Sequence, residues 1–353
     1  VSFYILAGFI KPNQRSNEAA VKYFLLGAFS LGILLYGMSL LYGLSGTTNL
    51  RVMATAFVGQ EQDPLLVLAV ILVVAGMGFK IAAVPFHAWA PDVYEGAPTP
   101  VTAFLSVGSK AASFAMLLRL CLEGLPAMSA DWRLLFQVLA IVTMTVGNLA
   151  ALTQTNLKRM LAYSSIAHAG YLLMGVVAGT PRGITAMLIY LFVYGLMQMG
   201  AFGIVVLMRR TDTVGDDIQD LNGLYFRNPM AAIAMLIFML SLGGIPPTAG
   251  FMGKFWLFSA AIESGYVWLA VIGVLNSAVS LYYYLRVVVF MWLKNEPTGS
   301  EPRMQPALAL TLAVALAGTI VLGIFPRPLF EMAEASARAL GAAAVAAPVA
   351  AVR

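Results

Sequence analysis

The sequence predicts an all-α polytopic membrane protein, and two observations carry that prediction. The first is composition: of 353 residues, 60% are hydrophobic and only 10% are charged. A soluble domain carries about 25% charged residues, and so few cannot cover a water-facing surface. The second is pattern. Apolar runs near or above the ~20 residues that cross a bilayer as a helix recur along the chain. They lack the period-two alternation of a transmembrane barrel. A soluble globular enzyme, a nucleic-acid binder and a disulfide scaffold are thereby excluded. The formal charge of +5 comes from scattered Lys and Arg, not from a nucleic-acid face. Cys121 stands alone, so it makes no internal bridge and no cluster for iron–sulfur or zinc.

In chain order the runs cover 18–44, 64–84, 101–122, 134–153, 160–179, 183–208, 229–264, 266–292 and 306–325. The opening stretch VSFYILAGF is apolar but too short to span. No initiator Met or basic segment precedes it, so a signal peptide is a poor reading. The chain is expected to begin inside a helix, as a piece of a longer protein. Lys and Arg in alternate loops give the orientation. Lys11, Arg15, Lys158, Arg159, Arg209, Arg210, Arg227, Lys294 and Arg303 collect on one side, expected to be cytoplasmic. The other short loops hold little beyond Arg51, Arg133 and Arg182. The Ala-rich tail after Phe325 falls opposite and is expected to be weakly ordered.

Laying segments over each other brings out an internal repeat. Ala83-Val84-Pro85-Phe86 reads like Gly244-Ile245-Pro246-Pro247, and GSKAASFAMLLRL from Gly108 like LNSAVSLYYYLRV from Leu275. Upstream, AAVKYFLL from Ala19 roughly matches AMLIYLFV from Ala186. Three matches in one order mean a duplicated unit of about five helices, and an odd number of spans inverts one copy. The expected organisation is a remaining part of the first unit over 1–122, a second unit over 123–293, and a last span with the tail over 294–353.

The prolines of the repeat, Pro85 and Pro246-Pro247, fall within or just after apolar runs. Proline removes a backbone donor and clashes with the preceding turn. Irregular backbone at membrane depth survives only when packed in protein or facing a water-filled cavity. A kinked packing helix is the plain alternative, but two breaks at matched positions, each with a lysine close by, favour a functional one. Lys80 precedes Pro85 by five residues, Lys110 sits mid-run, and Lys254 follows Pro247 by seven. A charge at the bilayer centre costs roughly 2.5–3.5 kcal/mol on insertion scales, so these lysines face the bundle interior as functional candidates. Lys22, early in its run, either joins them or snorkels to the surface. His168 either relays a proton, since imidazole titrates near neutrality, or packs by a hydrogen bond. His87 with Asp92 and Glu95 is too weak a pattern for a metal. Lys158, Arg159, Arg209 and Arg210 read as anchors, Glu263 as interfacial, and Arg119 and Arg286 as structural pairs. No dinucleotide, phosphate-loop or haem-ligand pattern stands out.

At this point the residues resemble a known family. GFKIAAVPFHAWAPDVYEGAPTPVTAFLSVGSKAASFAMLLRL closely resembles the antiporter-like subunit N family of bacterial proton-pumping NADH–quinone oxidoreductase, respiratory complex I. NLKRMLAYSSIAHAGYLLMG and LSLGGIPPTAGFMGKFWLF are similar to the same family. The resemblance implies about fourteen helices with two inverted units at the centre, the seventh and twelfth helices broken. On that scheme Val1 falls in helix five. Lys22, Lys80, Lys110 and Lys254 match the lysines of helices six, seven, eight and twelve. The family's helix-five glutamate, partner of the helix-seven lysine, would lie before Val1. The implied activity is proton translocation through a buried lysine relay, coupled to NADH oxidation and quinone reduction elsewhere in the complex. No redox catalysis and no cofactor are expected in this chain; FMN, iron–sulfur clusters and quinone belong to other subunits. Expected partners are subunit M, small membrane-arm subunits and the lipid bilayer of a bacterial inner membrane, with no nucleic acid. The rival reading is a subunit of a redox-independent cation/proton antiporter, against which the DVYEGAPTPV stretch argues.

Overall fold

The computed structural model describes residues 1–208, 216–293 and 304–345. Among them the secondary structure is helical, with no strand. After a short α1 (Ser2–Ala7), the Asn13 side chain accepts the backbone N–H groups of Arg15 and Ser16 and starts α2 (Gln14–Ser45). Asn49 caps α3 (Leu50–Ala56) in the same way. Asp63 caps α4 (Pro64–Ile81), whose first position is the proline that the first helical turn tolerates.

Helix α4 ends where Ala82 turns left-handed, at φ 58°. The chain then passes through Pro85 and restarts as α5 (Trp89–Gly96). The Trp89 indole N–H donates to the Phe79 carbonyl across the gap, 2.9 Å. The next span is less regular than its composition suggests. Helix α6 (Thr99–Phe104) passes through a π-helical turn over 105–109 into α7 (Lys110–Arg119), and a second π turn covers 120–124. Helices α8 (Ser129–Leu152), α9 (Leu157–Ala178) and α10 (Pro181–Met208) follow. Short α11 (Leu224–Arg227) leads to α12 (Pro229–Gly243) and α13 (Ala249–Glu263), with Pro246-Pro247 between them. Last come α14 (Val267–Leu293), α15 (Pro306–Ile324) and α16 (Arg327–Val345).

Eight of these segments, counting 99–124 as one, are long and apolar enough to cross a membrane among the described residues. The protein is a multi-pass membrane protein of the predicted class. The tail expected to be weakly ordered is instead helical over Arg327–Val345. Its alternation of apolar and charged residues supplies a packing side: Ala333 and Ala337 are buried, and the Phe330 ring packs tilted against Trp256 with ring centres 5.3 Å apart. Arg209, Arg210, Lys294 and Arg303 lie outside the described residues.

Helix α9 is the axis of the bundle and is enclosed almost along its whole length. It lies against α8 with backbones in contact. A Cβ at Gly147 would stand 2.7 Å from the Ala167 nitrogen, and one at Gly170 would stand 2.8 Å from the Met144 nitrogen. Small residues permit this approach, which is how membrane helices gain packing without a hydrophobic drive.

Candidate functional site

Two of the predicted lysines, Lys110 and Lys254, are buried beside α9. Lys110 opens α7 just after the π turn, which re-aims side chains on that stretch. Its ammonium donates to both the carbonyl and the hydroxyl of Ser165. It also stands 5.7 Å from the ring centre of Tyr194, whose own hydroxyl donates to Ser165 Oγ at 2.8 Å.

Ser164, the neighbouring residue, bonds the Tyr284 hydroxyl, and Tyr284 bonds His168 Nε2 at 3.0 Å. On the other ring nitrogen, His168 Nδ1 meets the Tyr190 hydroxyl at 2.6 Å. A neutral imidazole donates through one nitrogen and accepts through the other, and a hydroxyl does both. Ser164, Tyr284, His168 and Tyr190 therefore form a row in which every bond can reverse its direction. Such reversal is what passing a proton along a row requires.

Lys254 sits in α13 after the second break. Its ammonium donates to the Leu242 and Gly243 carbonyls, 2.9 and 3.1 Å, and to Ser277 Oγ, 2.8 Å. A cation on the last carbonyls of α12 is favourable, because those acceptors lack helical partners and lie at the negative end of the helix. Gly244, at φ +87°, closes α12, and a Cβ there would press on Lys254 Cδ at 3.0 Å. The ammonium also faces the Tyr171 ring at 5.0 Å. Behind Tyr171 lies a further buried set: Asn148 Nδ2 donates to the Tyr171 hydroxyl and to Asn276 Oδ1, both 3.2 Å, and Tyr283 donates to Asn148 Oδ1, 2.8 Å.

The other predicted residues sit apart from this cluster. Lys80, near the C-terminal end of α4, is half-buried, lies 5.9 Å from the Phe79 ring and finds no hydrogen bond or ion pair among the described residues. Lys22 does not lie free at the surface; it pairs with Glu18 and with Asp92 of α5, both 2.7 Å. Asp92 and Glu95 both pair with Arg159, whose Nη1 reaches them at 2.8 and 3.0 Å.

Lys158 corrects the anchor reading. It is buried and donates to the Glu95 and Ala97 carbonyls, 2.7 and 2.8 Å, with Asp216 at 3.5 Å. The start of α9 thus grips the end of α5. Arg286 likewise donates to the Leu152 and Gln154 carbonyls, Arg119 pairs with Glu123, and Glu263 pairs with Arg182 at the exposed end.

The sequence reading missed Ser164, Ser165, Asn148, Asn276 and the tyrosines 171, 190, 194, 283 and 284. One signal was present: Ser164 and Ser165 lie four and three residues before His168, one helical turn away.

Residues 1–280 match the family model described as the transmembrane part of NADH:quinone oxidoreductase and Mrp antiporters. The chain belongs to this family. A relative from Trichlorobacter lovleyi named NADH-quinone oxidoreductase subunit N is 52% identical over 95% of this chain and 69% of its own length. A second, from Rhizobium meliloti, named NADH-quinone oxidoreductase subunit N 2, is 50% identical over 95% and 70%. Among solved structures, a chain of respiratory complex I from Thermus thermophilus with aureothin bound superposes with a TM-score of 0.80. It is 37% identical, covering 94% of this chain and 72% of that one. A chain of the Mrp complex from Dietzia superposes at 0.82 with 24% identity, which shows a shared fold alone. The antiporter-like fold of complex I is therefore the fold of this chain.

Proposed function

We propose that the chain is a membrane-arm subunit of NADH:quinone oxidoreductase that moves protons through the lysine cluster around α9. One observation carries the reading: two buried lysines flank a reversible hydrogen-bond row centred on His168. A structural spacer has no reason to bear the insertion cost of such charges. The identity with subunit N relatives supports this reading over a redox-independent antiporter.

In this scheme, quinone reduction elsewhere in the complex alters the charge near Lys80. The change passes to Lys110, then through Ser164, Tyr284 and His168 toward Lys254, with water where protein groups do not meet. Release follows on the opposite face. The chain works as part of a translocase and leaves redox chemistry to subunits carrying FMN, iron–sulfur clusters and quinone. It packs against subunit M and smaller subunits in the bacterial inner membrane, with the end that carries Arg15, Lys158, Arg159 and Arg227 facing the cytoplasm. The two units divide near residues 122 and 293.

Substituting Lys80 or Lys254 by Ala tests the reading. Both proton pumping and quinone reduction of the assembled complex should fall, because the steps are tightly coupled. Unchanged rates of both would end the relay idea.

A further inference from the structure

Gln198 on α10 is wholly buried, yet among the described residues neither its Oε1 nor its Nε2 finds a hydrogen-bond partner. Buried amides are almost always satisfied, by protein or by ordered water. The position of this one gives it a use. Gln198 follows Tyr194 by four residues, so it lies about 6 Å further along α10 and about 40° around it. Its two flanks fix what it faces. On one side is Tyr194, which bonds Ser165 beside Lys110. On the other are Gly195, whose added Cβ would touch Val107 at 3.1 Å, and Phe202, whose ring meets Tyr94 edge-on at 6.4 Å. The amide therefore points into the seam where α9 and α10 meet the span that carries Lys110.

That span presents a matching row. Thr102, Ser106 and Lys110 follow each other at intervals of four and are all buried. Thr102 Oγ1 donates to the Tyr94 carbonyl, 3.0 Å, and Ser106 Oγ to the Ala103 carbonyl, 2.7 Å. Each hydroxyl oxygen keeps acceptor capacity for a further donor. The two helices run in opposite directions. Phe202 meets the Tyr94 ring and Thr102 the Tyr94 carbonyl, which sets the two near one level, and the Tyr194 ring faces the Lys110 ammonium at the next. Gln198 and Ser106 share the level between. Beyond Thr102, toward the lysine-rich end, a surface cleft is lined by Thr99, Ala97, Lys158 and Asp216.

We infer that Gln198 holds ordered water against Ser106, and that this water carries protons from the Thr99–Lys158–Asp216 cleft to Lys110. The inference rests on the relay reading, because it names the intake for a lysine that the relay uses. Water suits the site: it needs two to four polar partners, and the Gln198 amide with the two hydroxyls offers them. Gln198 acts here as a positioning residue, since the water and not the amide bears the proton.

The test uses the assembled complex. A map that resolves waters should show one within hydrogen-bond distance of both Gln198 and Ser106, and it should be gone in Gln198→Met, which keeps the side-chain volume. Gln198→Met should lower the pumping rate about fivefold, as expected for one lost hydrogen-bonded link. Gln198→Asn, a shorter amide with room for one more water, should restore at least half of it. A merely structural role would fail both substitutions alike. A dry Gln198 in the native complex overturns the inference, as does a hydrated one whose Met variant pumps normally. Lys110→Ala, run beside them, separates the two readings. If it is harmless, the relay and its intake fall together; if it is damaging while Gln198→Met is harmless, only the intake falls.

Discussion

Tyr284→Phe is the sharpest probe of the row along α9. Among the described residues, the Tyr284 hydroxyl is the one group that bonds both Ser164 and His168, and all three residues are buried. Replacing it with Phe removes two hydrogen bonds while keeping the ring and its packing. A neutral hydrogen bond is worth about 1 kcal/mol net, so two lost bonds amount to about 2 kcal/mol, or roughly a 30-fold slower transfer. Tyr283→Phe is the matched comparison. Tyr283 is equally buried and packs beside Tyr284, but its hydroxyl donates to Asn148 Oδ1 at 2.8 Å and makes no bond to His168. In the assembled complex reconstituted into vesicles, the assay follows acidification with a pH-sensitive dye and quinone reduction in parallel. Tyr284→Phe should slow acidification by an order of magnitude or more, and Tyr283→Phe should leave it within a factor of a few. Equal, small effects of the two would refute the argument that the row conducts.

Three further outcomes are expected. Gly244→Ala forces a side chain to φ +87° and toward Lys254 Cδ, so it should cost about 1–2 kcal/mol of stability and slow pumping; thermal unfolding and the vesicle assay check it. Lys158→Met removes the cation whose two bonds to the Glu95 and Ala97 carbonyls hold the end of α5; at about 1.5–3 kcal/mol for each charged hydrogen bond this should destabilise the subunit by about 3–5 kcal/mol, read as loss of assembled complex on native gels. Arg182→Ala should be nearly silent, within about 1 kcal/mol, because its pair with Glu263 is solvent-exposed; a thermal shift of many degrees would contradict this.

What the sequence made legible follows a physical rule. Lys110 and Lys254 stand out because a charge in an apolar run is conspicuous residue by residue. Pro85 and Pro246-Pro247 stand out because proline limits a helix whatever surrounds it. The tyrosines, serines and asparagines of the cluster do not stand out. Each is ordinary in a membrane helix, and their meaning lies in convergence from α8, α9, α10 and α14. The π turns over 105–109 and 120–124 shift backbone hydrogen bonds by one residue and leave no mark in composition. Lys158 was misread for a similar reason. Beside Arg159 at a loop it has the pattern of a surface anchor, and its true partners are carbonyls some sixty residues upstream.

The placement of α9 explains how a membrane protein can keep such a polar row. A helix facing lipid must turn apolar groups outward, because hydrocarbon offers no partner to a hydroxyl or an imidazole. Helix α9 faces almost no lipid, since α8, α10, α13 and α5 surround it. Its polar residues can therefore be satisfied wholly by neighbours: Ser165 by Lys110 and Tyr194, Ser164 by Tyr284, and His168 by Tyr190 and Tyr284. The same enclosure sets the terms of the two lysines. Among the described residues, Lys110 and Lys254 bond carbonyls and hydroxyls rather than carboxylates. A carboxylate partner would hold the proton in place, whereas neutral acceptors stabilise the ammonium only moderately and let it go. Lys80 differs, with no such acceptor among the described residues, and it lies beside the first break rather than against α9. In the proposed relay, that asymmetry would suit Lys80 to sensing a charge change from outside the cluster and Lys110 and Lys254 to carrying the proton.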